Sequence, residues 1–375
     1  MNEALDRSRR VASRSAIATF VLAALAVGAS LAALAAPARA AEDEAKAKGE
    51  LNFYNFAEYM DPKILADFKA KTGIKVNESY YESTEDMIAK LQHGGGAAQY
   101  DLVVVTDRAV PQMARLGLLA KLDHAQTPNL TNLDDRFQKL DVDPGNQYSV
   151  AYQWGTVGIL YNKAKLPDFQ PTWGAIFDPA LQKGRFLLLD EMRDMMGVAL
   201  RYKGFDVNTV KPEEIKAASE AIIAAKRSKK ALGFEGGVGA KNKVAGGSAD
   251  LGIVWNGDAF RAIEEDKKHR LEYVIPREGS MIWTDTIAIT GKAPNAAAAH
   301  QFINFLLDPQ VGARLSNFNK FATPNKASLP FIDPADAKNP ILYPSPETLA
   351  TMQSLRDVGE ADRLYDEAWT AVKSR

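Results

Sequence analysis

Tyr100-Asp-Leu-Val-Val-Val105 ends in an apolar run, Leu102 to Val105, the pattern of a strand buried on both faces of a parallel sheet, and it decides the fold class. Working outward from it, residues 74–80 alternate as a half-buried strand, and residues 86–91 carry a helical pattern. Further upstream, residues 49–55 read as a first strand and residues 62–71 as an amphipathic helix ended by Thr72-Gly73. Downstream, strands are expected at 186–190, 252–255 and 284–289, and a helix with a strong apolar stripe at 296–307. Strand and helix alternate throughout, so the class is α/β. No internal repeat is visible. Gly94-Gly-Gly96 and Gly236-Gly-Val-Gly239 read as loops, since neither fits a phosphate-binding motif leading into a helix.

The N-terminus speaks to location. Arg7, Arg9, Arg10 and Arg14 precede an apolar run over residues 16–36, and Ala38-Arg39-Ala40 supplies a small-x-small cleavage pattern. Together these describe a cleavable secretory signal at 1–40, followed by a charged leader at 41–48. A single membrane anchor is the alternative, since the run is long enough to cross a bilayer. Ser8-Arg9-Arg10 faintly matches a twin-arginine signal, but the apolar residues expected directly after it are missing. A periplasmic protein is expected.

The chain has no cysteine, which excludes disulfides, thiolate metal sites, a cysteine nucleophile and a lipid-modified N-terminal cysteine. Cleavage after Ala40 removes five of 46 basic and two of 47 acidic residues, leaving 41 against 45 and a net charge of −4. Mild acidity carries no basic face for nucleic acid, and a monomer is expected. A mature chain of this length is expected to split into two lobes.

Enzyme signatures are weak. The histidines at 93, 124, 269 and 300 lie far apart and form no metal-ligand pair, and His300 reads as a packing or helix-surface residue. No G-x-S-x-G elbow is present. Glu191 and Asp194 have the look of a glycosidase-like carboxylate pair, but such spacing is common by chance. No catalysis, cofactor or metal is expected. What does recur is an aromatic beside an acid at a strand end. Tyr54, Phe56 and Tyr59 flank Glu58; Glu191 and Asp194 follow a strand; Trp255 precedes Asp258; Trp283 precedes Asp285; and Phe321 precedes Thr323-Pro-Asn325. Ligands of open α/β sheets sit beyond the carboxyl ends of strands. Carboxylates with aromatic faces suit an alkylammonium, through charge-assisted hydrogen bonds and cation–π walls. The same residues also fit a bland reading, with tryptophans in the core and acids in solvated loops.

Several segments carry a resemblance. They are Leu51-Asn-Phe-Tyr-Asn-Phe-Ala-Glu-Tyr59, Phe68-Lys-Ala-Lys-Thr-Gly-Ile-Lys-Val76, Tyr81-Glu-Ser-Thr-Glu-Asp-Met-Ile-Ala-Lys-Leu91, Tyr152-Gln-Trp-Gly155, Ile253-Val-Trp-Asn-Gly257, Trp283-Thr-Asp285, Ile303-Asn-Phe-Leu-Leu307 and Ala322-Thr-Pro-Asn325. In this order they resemble the polyamine-binding proteins of spermidine/putrescine ABC importers, from about residue 50 to Asp357-Val-Gly359. The resemblance implies a two-lobed type II periplasmic binding protein fold, each lobe a mixed sheet flanked by helices with ligand in the cleft between. It places lobe 1 at 49–153 plus 285–325 and lobe 2 at 154–284 plus 326–375. It implies a small amine ligand of putrescine or spermidine type and an inner-membrane ABC permease as partner.

Carried over position by position, the resemblance puts Glu191, Asp194 and Asp285 at the ammonium-binding carboxylates, Trp255 and Trp283 at aromatic walls, and Tyr59 beside the ligand. Phe56 stands where tryptophan is usual, Phe321 where tyrosine is usual, and Leu355 at a glutamine position. Thr106 replaces a pocket serine. Arg108 departs most, standing where the family has an aromatic residue. Either it enters the cleft, repelling a second ammonium and favouring a ligand carboxylate, or it turns outward or pairs with Asp107 or another acid. The first case points to a short diamine, or to a zwitterionic solute such as an ω-amino acid, betaine or opine-like compound, rather than full-length spermidine.

Overall fold

The computed structural model describes residues 49–93 and 95–375; the expected signal at 1–40 and leader at 41–48 lie outside the described residues, as does Gly94. Three strands open the chain: β1 (Glu50–Phe56), β2 (Lys75–Tyr81) and β3 (Leu102–Thr106), the last formed by the Val-Val-Val run. They pair in parallel in the order β2-β1-β3. Later strands β5 (Phe186–Leu189), β6 (Ala231–Glu235) and β7 (Leu251–Trp255) adopt the same arrangement, β6-β5-β7, again in parallel. The repeat that the sequence does not display is therefore present in the topology.

Two long strands join these triplets. β4 (Ser149–Asn162) and β9 (Met281–Ile289) are antiparallel to each other over residues 149–156 and 282–288. Each also enters a different triplet: β9 pairs antiparallel with β3 from residue 285 on, while still beside β4, and β4 pairs with β7 from residue 157 on. Short β8 (Leu271–Val274) adds to β4, and β10 (Gln353–Ser354) adds to the start of β9. β4 has no sequence signature because all 14 of its residues are buried. Alternation survives only where one face meets water.

Helices cover these strands. α1 (Pro62–Thr72) buries Ile64 and Phe68, and Phe68 packs edge-on against Phe302 of α7 (Ala296–Leu306) at 4.9 Å. Burying each such side chain contributes about 1.5–3 kcal/mol. α2 (Thr84–Gln92) begins where the Ser83 hydroxyl accepts from the Asp86 N–H, with Glu85 and Asp86 in the dipole-favoured first turn. α3 (Met192–Tyr202) and α4 (Pro212–Lys226) lie between β5 and β6, and α9 (Asp362–Ser374) packs on both. Arg193 of α3 is buried, its guanidinium stacked 4.3 Å from the Tyr365 ring of α9 and 3.2 Å from Asp362. α8 (Pro309–Asn319) is capped by Asp308. His300 is a structural residue: buried on α7, it accepts from the Asp123 N–H through Nε2.

One expectation is corrected. Residues 236–239 are not a loop: Gly236 is the N-cap of α5 (Gly237–Ala245), and Gly237 to Gly239 form its first turn. The glycines signal close approach rather than irregular chain. A Cβ on Gly237 would lie 2.3 Å from the Trp255 ring and 2.5 Å from the Asp258 carboxylate.

Candidate ligand-binding site

The carboxyl ends of β1, β2, β3, β5, β6 and β7 converge on one cavity of about 310 Å³, within the range of small-molecule sites. All ten residues singled out in the sequence line it: Phe56, Tyr59, Thr106, Arg108, Glu191, Asp194, Trp255, Trp283, Asp285 and Phe321. Local structure accounts for each position. Phe56 ends β1, and Tyr59 follows a turn in which Glu58 takes a positive φ of 58°. Thr106 ends β3 directly opposite Asp285 in the antiparallel register of β9. Glu191 is the N-cap residue of α3 and Asp194 sits in its first turn. Trp255 ends β7, and Asp258 lies in the first turn of α6 (Asn256–Glu265). Trp283 packs over Gly155 of β4, where a Cβ would come within 2.5 Å of the indole.

The aromatic wall is continuous. Phe56 contacts Tyr81 at 4.3 Å, Tyr59 at 5.9 Å and Trp255 at 6.5 Å between ring centres. Tyr59 meets Phe321 edge-on at 5.3 Å, and Phe321 meets Trp283 at 5.2 Å. The Phe56–Trp255 contact reaches from the end of β1 to the end of β7, so the wall spans both triplets.

Acids outnumber bases around this wall, and the bases are held. Arg108 Nη2 lies 2.8 Å from Glu191 Oε1 and 3.6 Å from Glu85 Oε1, with the arginine side chain only 10% exposed. The other Glu191 oxygen accepts from the Thr84 N–H at 3.4 Å. Glu58 receives both Lys241 and Arg261 at 2.9 Å, and Lys243 pairs with Glu235. That leaves three buried carboxylates. Asp285 accepts from the Tyr59 hydroxyl at 2.8 Å, and Asp194 from the Trp255 indole N–H at 2.8 Å. Asp258 is 6% exposed. Among the described residues no lysine or arginine forms an ion pair with these three. The Trp283 indole N–H is buried without a protein partner.

Their titration reflects burial, offset only in part by Arg108 at Asp194 and Asp285 and by Lys241 and Arg261 at Asp258. Burial pushes Asp285 up to about 7 and Asp258 up to about 6, and burial also raises Asp194 against its bond from Trp255. Burial, the Asp285 charge and the hydrogen bond to it raise Tyr59, which stays a donor. Glu191 is also raised by burial and by Glu85, against the pull of Arg108. Glu58, by contrast, is held below the usual range by Lys241 and Arg261 despite partial burial. A cavity that desolvates carboxylates without neutralising them is poised for a cation.

Arg108 thus answers its open alternatives in a mixed way: it lines the cavity, yet another acid holds its guanidinium. Leu355 is buried but does not line the cavity. The sequence reading missed Tyr81 and Thr84 as lining residues and Glu85 as the second partner of Arg108. A capping residue followed by acids on a helix start was the only local trace of this segment.

A family model for bacterial extracellular solute-binding proteins matches residues 63–344. The spermidine/putrescine-binding periplasmic protein of Escherichia coli is 36% identical over 325 residues, covering 86% of this chain and 91% of that protein. A putrescine/cadaverine-binding protein of Pseudomonas aeruginosa is 30% identical over 358 residues, covering 91% and 98%. A solved structure from Listeria monocytogenes, assigned to a spermidine/putrescine ABC transporter, has a TM-score of 0.79 at 33% identity, covering 86% and 98%. The fold is the two-lobed periplasmic binding protein fold expected. With the family model matching residues 63–344 and relatives of 30–36% identity covering most of its length, the chain belongs to the bacterial extracellular solute-binding protein family.

Proposed function

We propose that this protein is the periplasmic solute-binding component of an ABC importer for a small amine of the putrescine and spermidine class. One observation carries the reading: three buried carboxylates, Asp194, Asp258 and Asp285, sit inside an aromatic wall with no ion pair among the described residues. In this reading the ammonium groups bridge these carboxylates, and Phe56, Tyr59, Trp255, Trp283 and Phe321 enclose the methylenes, each cation–π contact adding roughly 0.5–2 kcal/mol. Relatives that bind putrescine, cadaverine or spermidine by name support the ligand class. The zwitterion alternative needs Arg108 to receive a carboxylate, and two glutamates already flank it.

The lobes are proposed at 49–153 plus 285–325 and 154–284 plus 326–375. The start of β3 pairing at residue 285 of β9 and of β7 pairing at residue 157 of β4 supports these limits, as does the packing of α9 on α3 and α4. Closure around ligand presents the loaded form to a permease. We further propose a monomer, with export by cleavage after Ala40, which N-terminal sequencing of the exported protein checks.

Isothermal titration of ligand-stripped protein against putrescine, spermidine, agmatine and γ-aminobutyrate tests the function. One-to-one binding of an amine supports it. Heat with γ-aminobutyrate alone would move the protein to the zwitterionic class.

A further inference from the structure

We propose that Arg108 is a built-in cation that occupies the place of a ligand ammonium at Glu191 and restricts the site to diamines over longer triamines such as spermidine. The inference rests on the amine reading above and concerns how many ammonium groups the same site accepts. A guanidinium does not shed its charge in a protein, so Arg108 is a permanent positive wall of the cavity. Its near-burial and its contacts of 2.8 Å to Glu191 and 3.6 Å to Glu85 hold it there from two sides. The Thr84 N–H occupies the remaining Glu191 oxygen. That carboxylate is therefore already neutralised before any ligand arrives.

The acids still free fall at two poles separated by one ring. Trp255 donates its indole N–H to Asp194 from one edge. Another edge of the same indole lies over the first turn of α5, where the position of a Gly237 Cβ would be within 2.6 Å of both the ring and the Asp258 carboxylate. Asp285 belongs with Asp194, whose charge reaches it, and Arg108 acts on both without an ion pair, whereas Asp258 feels Lys241, Arg261 and Glu58. Two poles with an aromatic spacer accommodate two ammonium groups and the methylenes between them. A third ammonium directed to the remaining acid would meet Arg108, a like charge in a poorly solvated site.

Putrescine, cadaverine and spermidine titrated calorimetrically into ligand-stripped protein and its Arg108 variants provide the test. In the wild type, spermidine is expected to bind at least tenfold more weakly than putrescine. Arg108→Ser frees Glu191 and is expected to reduce that ratio at least tenfold, by strengthening spermidine. Arg108→Lys keeps a cation and the wild-type ratio. If the serine variant does not fold, Arg108→Gln removes the charge while retaining a hydrogen-bonding side chain. Equal binding of spermidine and putrescine by the wild type, or an unchanged ratio in the neutral variants, would overturn the role of Arg108 while leaving the amine reading intact. Absence of binding by every amine overturns both.

Discussion

Replacing Asp285 with asparagine should make the empty protein more stable while crippling it as an amine binder. In the native state Asp285 is buried opposite Thr106 with one hydrogen bond from Tyr59 and no ion pair among the described residues. Burial lifts it from 3.8 to about 7, a difference worth about 4 kcal/mol once the group is ionised in both states. The sign follows from linkage. With a raised native value, the stability associated with neutral Asp285 is fully present below 3.8 and is lost as pH rises through about 7. Asparagine keeps an oxygen for the Tyr59 hydroxyl and never ionises, so at pH 8 it recovers up to about 4 kcal/mol; relaxation and water entry make about 2 kcal/mol a working figure. For a chain of this size that is roughly 3 °C in melting temperature. By about pH 5 more than half of the advantage should be gone, since the wild-type residue is then protonated in the native state. Loss of the charge should weaken amine binding by about 2–5 kcal/mol, or roughly 30-fold to several thousand-fold. Thermal melts of ligand-stripped wild type and Asp285→Asn at pH 5 and pH 8, with calorimetry for putrescine, measure both effects. A variant that is no more stable at pH 8, or whose advantage persists undiminished at pH 5, refutes the claim that this carboxylate is desolvated and uncompensated.

Amine affinity should rise with pH through the interval from about 6 to about 7, as Asp258 and Asp285 ionise, and level off above it; proton release, seen as buffer-dependent heats, should accompany binding. A flat profile counts against both groups. Glu58→Gln removes the charge that pairs with Lys241 and Arg261, and because Glu58 is 42% exposed the effect should be no more than about tenfold in affinity, mainly as faster release in stopped-flow traces. Gly237→Ala drives a methyl into Trp255 and Asp258 and should cost about 1–3 kcal/mol of stability together with most of the amine affinity, measured by denaturant melts and calorimetry.

What the sequence disclosed depends on range. Tyr59, Asp194, Trp255, Asp258 and Asp285 lie a few residues beyond or within strands whose apolar runs are local, so strand ends and their acids could be listed by reading along the chain. The whole of β4 escaped notice because burial on both faces erases alternation. Arg108 was visible as an oddity, but its meaning depended on Glu191 and Glu85, and Glu191 in turn on Thr84, 107 residues away. Likewise, Lys241 reaches Glu58 across 183 residues. No spacing rule encodes such pairs; only the sheet order brings them together. The glycines at 236–239 misled in an instructive way, since crowding by an indole and irregular backbone both call for glycine.

The pairing of β3 with the distant β9 has a consequence for synthesis. β3 is complete at residue 106, but its antiparallel neighbour is not made until residue 289. A chain emerging from the ribosome therefore carries a parallel triplet with an open edge while nearly two hundred more residues are added. Pairings this distant in sequence are slow to form and leave edges exposed meanwhile. The β5–β7 triplet, whose neighbour β4 precedes it, has no such wait. The triplet that is translated first is thus the one whose edge is covered last.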